Sequence, residues 1–335
     1  MTKIAINGFG RIGRIFFRQA FGQDDIDIVA VNDLGSPDNL AYLLKYDTVY
    51  HRYDKHVEVK GKDIIVDGKK IEVFQETDPT KLPWGKLGID VVVESTGVFD
   101  TRDKAAAHLT AGAKRVVITQ PAHDETTPTA TPNVGIQDLA KDVITSNASC
   151  TTNCVNPIIA VMMQSPGIKK AMLTTVHAYT ATQSIVDGPD KKGDFRRARA
   201  AAQNIVPSTT GAAKATTRTI KELEGKFDGV ALRVPVPSGS IIDVTFVAER
   251  KTTVEEVNDI FRKAAASPEW QGILEVTDEQ LVSSDILGYP HGSLVDLQLT
   301  RVVDGDLVKV FSWYDNEWGY SAMLLKHVQE VAKLL

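Results

Sequence analysis

Two cysteines occur in the chain, Cys150 and Cys154, both within Ser146-Asn147-Ala148-Ser149-Cys150-Thr151-Thr152-Asn153-Cys154. A β-rich segment precedes this run and an apolar helical segment follows it, so Cys150 is expected near a helix N-terminus and Cys154 one turn further in. A free thiol with a pKa near 8.5 is only about 3% ionised at pH 7. A helix terminus and a neighbouring imidazolium can stabilise the thiolate by about 2.7 kcal/mol, enough to make it the main form. Cys150 therefore reads as a nucleophile and Cys154 as a small buried hydrophobe. Two thiols with no His-x-x-x-His nearby supply too few ligands for a closed zinc site, and no metal is expected. His177 ends the apolar segment Thr174-Thr175-Val176-His177-Ala178-Tyr179-Thr180. A lone histidine there is ordinarily a hydrogen-bonded core residue, and spacing alone does not pair it with Cys150.

A second constellation lies at the N-terminus. Asn7-Gly8-Phe9-Gly10-Arg11-Ile12-Gly13 carries G-x-G-x-x-G between a strand and a helix. Glycines there let the turn tighten, the backbone approach a pyrophosphate and the helix pack on its strand. The pattern alone is weak, but Asp33 lies 20 residues past Gly13, at the end of the next strand. Together they point to dinucleotide binding. Asp33 would accept hydrogen bonds from the adenosine ribose and repel a 2′-phosphate. Leu34-Gly35-Ser36 offers no arginine to counter that, so NAD is favoured over NADP. Ser95-Thr96-Gly97 follows another strand and is expected to pass close to the cofactor, although a plain strand-to-helix turn would read the same way.

The elements that must position these residues fall into two halves. β-rich runs at residues 4–7 and 28–32 alternate with helical ones at 14–21 and 38–44, which reads as βαβ units and a parallel sheet. Residues 57–74 alternate around Asp67-Gly68, a tight-hairpin pair, and read as an antiparallel insertion. Parallel strands resume at 90–95, 115–119 and 143–146, with a helix at 104–112. After Cys150 longer strands appear at 172–177, 229–234, 241–250, 294–303 and 307–313, the last two flanking Asp304-Gly305-Asp306. Helices are expected at 253–266, where Thr253 and Glu256 have capping-box spacing, and at 318–335. The fold class is thus α/β, a doubly wound Rossmann-type parallel-sheet domain plus an α+β catalytic domain with a mainly antiparallel sheet. The expected division is a dinucleotide-binding domain over 1–149, with the helix of 316–335 packing back on it, and a catalytic domain over 150–315.

Composition sets the outer bounds. A chain of 335 residues, 43% hydrophobic and 24% charged, has the balance of a globular protein long enough for two cores. Its net charge of −5 gives no global attraction for nucleic acid or anionic membranes. No apolar run approaches the roughly 18 residues needed to cross a bilayer. The first residues lack the pattern of an export signal, and two cysteines do not make a disulfide framework, so a cytoplasmic location is expected.

The glycine turn, Asp33, the cysteine run and residues 177–180 are followed in order by three further segments. These are Pro207-Ser208-Thr209-Thr210-Gly211-Ala212-Ala213-Lys214-Ala215, Arg233-Val234-Pro235 and Trp313-Tyr314-Asp315-Asn316-Glu317-Trp318-Gly319-Tyr320. From about residue 2 to the C-terminus the chain resembles the phosphorylating glyceraldehyde-3-phosphate dehydrogenases. The resemblance implies that Cys150 is the nucleophile and His177 its base, with an imidazolium holding the thiolate before substrate arrives. It implies NAD contacts at Gly8, Gly10, Arg11, Ile12, Gly13, Asp33, Ser95, Thr96, Thr119, Asn316 and Tyr320. Asn316 could equally be only the cap of the last helix. Thr180 and Arg233 would hold the substrate phosphate. Ser149, Thr151, Thr210 and Gly211 would hold the attacking inorganic phosphate, with an arginine from residues 191–199. Arg196 aligns best, but an apparent extra residue leaves Arg197 and Arg199 open.

The partners implied are glyceraldehyde 3-phosphate, inorganic phosphate and three further copies of the chain, as a homotetramer. Two segments depart from the family pattern, Thr119-Gln120-Pro121 and Thr131-Pro132-Asn133-Val134-Gly135, and bear on NAD affinity. Competing readings are an erythrose-4-phosphate dehydrogenase, which the intact Thr209–Lys214 run argues against; a cysteine hydrolase, which would have no use for the glycine turn; and a nucleic-acid-binding module, which the net charge disfavours.

Overall fold

The computed structural model describes residues 1–189 and 193–335. Asp190, Lys191 and Lys192 lie outside the described residues, the two lysines being part of the basic stretch singled out above. The chain divides into two compact units, Met1–Ala148 with Ser321–Leu335, and Ser149–Tyr320.

The first unit is built on an eight-stranded sheet. In spatial order its strands are Ile144–Ser146, Arg115–Ile118, Val91–Glu94, Thr2–Asn7, Ile26–Asn32, Lys69–Phe74, Asp63–Val66 and Val57–Lys60. Neighbours among the first six are parallel, and the last two strands are added by antiparallel pairings. Val91, Val92, Val93, Val116 and Val117 are all fully buried, as expected for parallel strands covered on both faces. The expected insertion at 57–74 is fused to the main sheet. Lys69–Phe74 pairs antiparallel with Asp63–Val66 across Asp67-Gly68, both at positive φ (46° and 82°), and parallel with Ile26–Asn32 on its other side. The helix expected at 104–112 is two short pieces, Arg102–Ala105 and Ala107–Thr110. Ala106 between them keeps helical angles, so the path is loosened rather than redirected.

Leu324, Val328 and Val331 of the last helix, Trp318–Ala332, join the core that holds Phe16, Phe17, Ile4 and Val91. His327 of the same helix is buried between Thr145 (Nε2 to Oγ1, 3.0 Å) and Asn147 (Nδ1 to Nδ2, 3.2 Å). Burial pushes its pKa down to about 4, so it packs as a neutral ring.

The second unit carries a seven-stranded sheet among the described residues. Its order is Val206–Thr209, Phe227–Val234, Ile168–Ala178, Ser240–Ala248, Leu307–Tyr314, Ser293–Val303 and Leu274–Thr277. Only two neighbouring pairs run parallel, Ile168–Ala178 with Phe227–Val234 and Leu274–Thr277 with Ser293–Val303. Asp304 and Gly305 both take positive φ and close the expected hairpin, with Val303 paired to Leu307. Thr253 caps the helix Val254–Ala265 by accepting from Glu256 N–H. The reciprocal half of the capping box is absent, because the Glu256 carboxylate takes Thr252 Oγ1 (2.7 Å) and Arg250 instead.

Candidate active site

Cys150 opens the helix Cys150–Gln164. Ser149 is the N-cap, its Oγ accepting from Thr152 N–H at 3.1 Å, and the first turn holds no acidic side chain. His177 lies near the end of Ile168–Ala178, in register with Arg233 on the parallel neighbour. That placement brings His177 Nε2 to 3.3 Å from Cys150 Sγ, across 27 residues of sequence. His177 Nδ1 is 2.6 Å from Ala178 O and 2.6 Å from an Arg233 nitrogen, which itself donates to Ala178 O at 3.1 Å. Nδ1 thus faces both an obligate acceptor, the carbonyl, and an obligate donor, the guanidinium, and the tautomer with the proton on Nδ1 is the one that leaves the Nε2 lone pair facing the thiol. The edge of Tyr314 meets the imidazole (ring centroids 5.9 Å apart), and its hydroxyl bridges Thr151 Oγ1 (3.0 Å) and Thr175 Oγ1 (2.8 Å).

Burial acts against both members of the thiolate–imidazolium pair that the resemblance implies. Burial pushes the Cys150 thiol up, opposed by Arg233 and by hydrogen bonds from Thr151. Burial pushes His177 down to about 3, and Arg233 pushes it the same way. Arg233 thus favours the thiolate while disfavouring the imidazolium. Cys150 as a whole residue is half-buried. Cys154 is fully buried, its sulfur 3.9 Å from Ser293 Oγ and from Ser312 O, and burial raises its pKa to about 12.

The residues expected to bind anions gather unevenly around this pair. Arg233 touches His177, and Thr151 is tied to Tyr314 as described. Thr180 pairs with Thr182 (Oγ1 to Oγ1, 2.9 Å), and Thr180 N–H donates to Gln183 Oε1. Thr210 Oγ1 accepts from Ala212 N–H, and Gly211 is the N-cap of Ala212–Thr219. Arg196, the best-aligned candidate, is exposed and borders a different cavity with Phe195 and Val230. Arg197 is the one turned inward. It donates to Ser208 Oγ (2.9 and 2.7 Å) and is close enough to depress the His177 pKa. Arg199 pairs with Asp187 on the exposed side. Sequence reasoning assigned no role to Tyr314, because nothing in its spacing points to a hydroxyl bridge; it needed the register of Ile168–Ala178, Ser240–Ala248 and Leu307–Tyr314.

The glycine turn lies in the first unit. Gly8 has φ +92°, and a Cβ there would sit 2.7 Å from Ser95 C and Thr96 N. A Cβ on Gly13 would sit 2.1 Å from Gly8 O, so the helix Arg11–Ala20 packs against the turn only without one. Gly10 faces open space and, as the N-cap of that helix, supplies no side-chain cap, so nothing of its own side chain stands between the helix N-terminus and an anion. The Asp33 carboxylate accepts from Phe9 N–H (2.7 Å) and Gly35 N–H (2.9 Å). Gly8, Gly10, Asp33, Ser95, Thr96 and Phe99 help line a cavity of about 480 Å³. An uncapped helix end for a pyrophosphate, a carboxylate for a ribose and a cavity joining them fit a dinucleotide.

Other expected contacts are placed less directly. The Arg11 guanidinium pairs with Asp47 and lies over Tyr50, so Arg11 and Ile12 would serve the cofactor through backbone N–H groups. Thr119 follows the strand Arg115–Ile118, and its N–H donates to Glu94 O. In the second unit Asp315, not Asn316, bonds the N–H groups of Glu317 and Trp318 at the start of the last helix. Asn316 Oδ1 accepts from Gly239 N–H (3.2 Å) and Ser240 Oγ (2.8 Å), which orients its amide. Tyr320 is buried, and its phenol pKa is raised by burial first and by Cys150 second.

Comparison with known proteins follows the same division. Residues 2–102 match the family described as glyceraldehyde 3-phosphate dehydrogenase, NAD binding domain, and residues 149–316 match its C-terminal domain. The chain is 48% identical to a glyceraldehyde-3-phosphate dehydrogenase of Clostridium pasteurianum, over 100% of this chain and 99% of the relative. It is 50% identical to that of Borreliella burgdorferi, over 99% and 100% respectively. Glyceraldehyde-3-phosphate dehydrogenase 2 of Streptomyces avermitilis is 50% identical over 96% of each chain. With both halves matched in order and relatives aligned end to end, the chain belongs to the glyceraldehyde-3-phosphate dehydrogenase family.

Proposed function

We propose that this chain oxidises glyceraldehyde 3-phosphate with NAD and inorganic phosphate to 1,3-bisphosphoglycerate, with Cys150 as nucleophile and His177 as base. The observation that carries the assignment of roles is the 3.3 Å approach of Sγ to Nε2 beside Arg233. Nε2 takes the thiol proton as Sγ adds to the aldehyde carbon, then returns it to the new alkoxide, leaving a hemithioacetal. The same nitrogen removes the hydroxyl proton as that carbon becomes a thioester. NAD, when bound, supplies the hydride acceptor. A phosphate oxygen then attacks the thioester, and the acyl phosphate leaves as Cys150 regains its sulfur electrons. Arg233 holds one phosphate, with Thr180. Ser149, Thr151, Thr210 and Gly211 hold the other.

For the inorganic phosphate site the inward arginine supports Arg197 over Arg196. Arg197→Ala is expected to raise KM for phosphate about tenfold or more, the loss of a charge-assisted hydrogen bond. Arg196→Ala should stay within about twofold. Steady-state rates with phosphate varied check this, and the reverse ranking would return the role to Arg196.

Residues 1–149 with the C-terminal helix form the NAD-binding domain and 150–315 the catalytic domain, a division supported by the compact units meeting at Ala148 and Ser149. A homotetramer is supported by an exposed apolar patch on one sheet face of the second unit. There Met172, Val230 and Leu307 are exposed, and a cavity of about 510 Å³ is bordered by Met172, Phe227, Val247 and Leu307. No helix among the described residues is long and apolar enough to cross a membrane, and two free cysteines suit a reducing cytoplasm.

The purified chain should generate NADH absorbance rapidly only when aldehyde, NAD and phosphate are all present, and should sediment as four copies. Equal rates without phosphate would replace the phosphorolytic step by hydrolysis.

A further inference from the structure

The carboxyl ends of three adjacent parallel strands, Thr2–Asn7, Ile26–Asn32 and Val91–Glu94, meet in a buried polar cluster. Asn7, Asn32, Glu94 and His108 are all buried there. Glu94 Oε2 accepts from Asn7 Nδ2 (2.5 Å) and His108 Nε2 (2.9 Å). Its Oε1 accepts from Thr96 N–H (2.8 Å) and Thr96 Oγ1 (2.5 Å). Each donor is fixed by a further partner. Trp84 Nε1, which can only donate, bonds His108 Nδ1 at 3.1 Å, so the ring proton sits on Nε2 and points at Glu94. Asn32 Nδ2 donates to Asn7 Oδ1 (2.7 Å), which leaves Asn7 Nδ2 to face the carboxylate. Val98 N–H donates to Thr96 Oγ1 (3.1 Å), which sends the hydroxyl proton to Glu94. Four donors converge on one carboxylate, two on each oxygen.

This carboxylate sits directly behind the cofactor cradle. Its two bonds to Thr96 set the turn after Val91–Glu94, and that turn is the surface Gly8 meets so closely that a Cβ has no room. We propose that Glu94 is a positioning residue for NAD, fixing the Ser95–Gly97 turn at the spacing from Gly8 that the dinucleotide requires. The inference rests on reading the cavity of about 480 Å³ as the NAD site.

Glu94→Gln is close to isosteric but cannot satisfy the cluster. Whichever way the introduced amide is turned, its NH₂ meets two donors. The Kd and KM for NAD are expected to rise about tenfold or more, while kcat at saturating NAD stays within about threefold. Adding Asn7→Asp moves the carboxylate one side chain over. There it can accept from Asn32, from the introduced amide and from His108 Nε2, which already lies 3.3 Å from Asn7 Nδ2. The double variant should recover NAD affinity to within about threefold of wild type. Calorimetric NAD titration and steady-state kinetics read both quantities. Wild-type affinity in Glu94→Gln with only a lowered melting temperature, or a double variant no better than the single, would overturn the proposal. Failure of the unmodified chain to bind NAD would instead defeat the cofactor reading. Should Glu94→Gln not fold, Asn7→Asp alone sets two carboxylates in contact that must share a proton. Its Kd for NAD is then expected to rise with pH as that proton is lost, and a pH-independent wild-type Kd would overturn the proposal.

Discussion

Cys150→Ser is expected to lower kcat by about 10⁴-fold or more while leaving the Kd for NAD unchanged. A hydroxyl in that position is far less acidic than a thiol and less nucleophilic, and neutral His177 at 3.3 Å cannot make up the difference. Gly8, Gly10, Asp33, Ser95 and Thr96 of the cofactor cradle all belong to the other compact unit. Cys154→Ser is the contrasting control, expected within about threefold in kcat. Its sulfur is buried beside Ser293 and Ser312, and with a pKa near 12 it has no thiolate to offer. A serine hydroxyl there can donate to Ser312 O, so the stability change should be about 1 kcal/mol or less. Mapping of iodoacetamide adducts should find Cys150 modified and Cys154 untouched in the folded protein. Comparable losses from the two serine variants would remove the distinction between them.

His177→Asn should lower kcat by about 10²- to 10⁴-fold with the KM for NAD unchanged, the range expected when a general base is removed but polarity and size are kept. The wild-type pH profile carries the same argument from another side. With His177 held down to about 3 by burial and Arg233, the basic form of the ring is present throughout the neutral range. The acid limb of kcat should therefore lie well below the ordinary histidine value near 6.5, and the asparagine variant should lack the contribution altogether. An acid limb centred near 6.5, abolished in the variant, would show instead that Arg233 does not act on the ring as the geometry requires.

The readability of this chain from its residues was uneven for physical reasons. The glycine turn and Asp33 are local, since their geometry follows from positive φ, a missing Cβ and one strand of separation, and the structure finds them lining one cavity. Both Asp-Gly hairpins are local in the same sense. The Cys150 and His177 contact is not, because the two lie on elements joined only by the packing of a helix against a sheet, and the family pattern had to supply the distance. Protonation was the least legible property. A helix terminus next to an imidazolium predicts a stabilised thiolate, yet the thiol is raised and the imidazole lowered, because burial acts on both and Arg233 lies against the ring. Which of Arg196, Arg197 and Arg199 turns inward was likewise illegible, because one extra residue in the loop is enough to change it. The hydroxyl bridge at Tyr314 and the four-donor carboxylate at Glu94 have no sequence signature, since their members come from strands and helices far apart in the chain.

The helix Trp318–Ala332 gives the first unit Leu324, Val328 and Val331 for its core and His327 for Thr145 and Asn147. A ribosome that has released residues 1–148 has therefore delivered the whole parallel sheet without the last pieces that seal one of its faces. The segment made first is finished last, only after the entire second unit has been synthesised, and until then its unsealed apolar face is where a nascent-chain chaperone would bind.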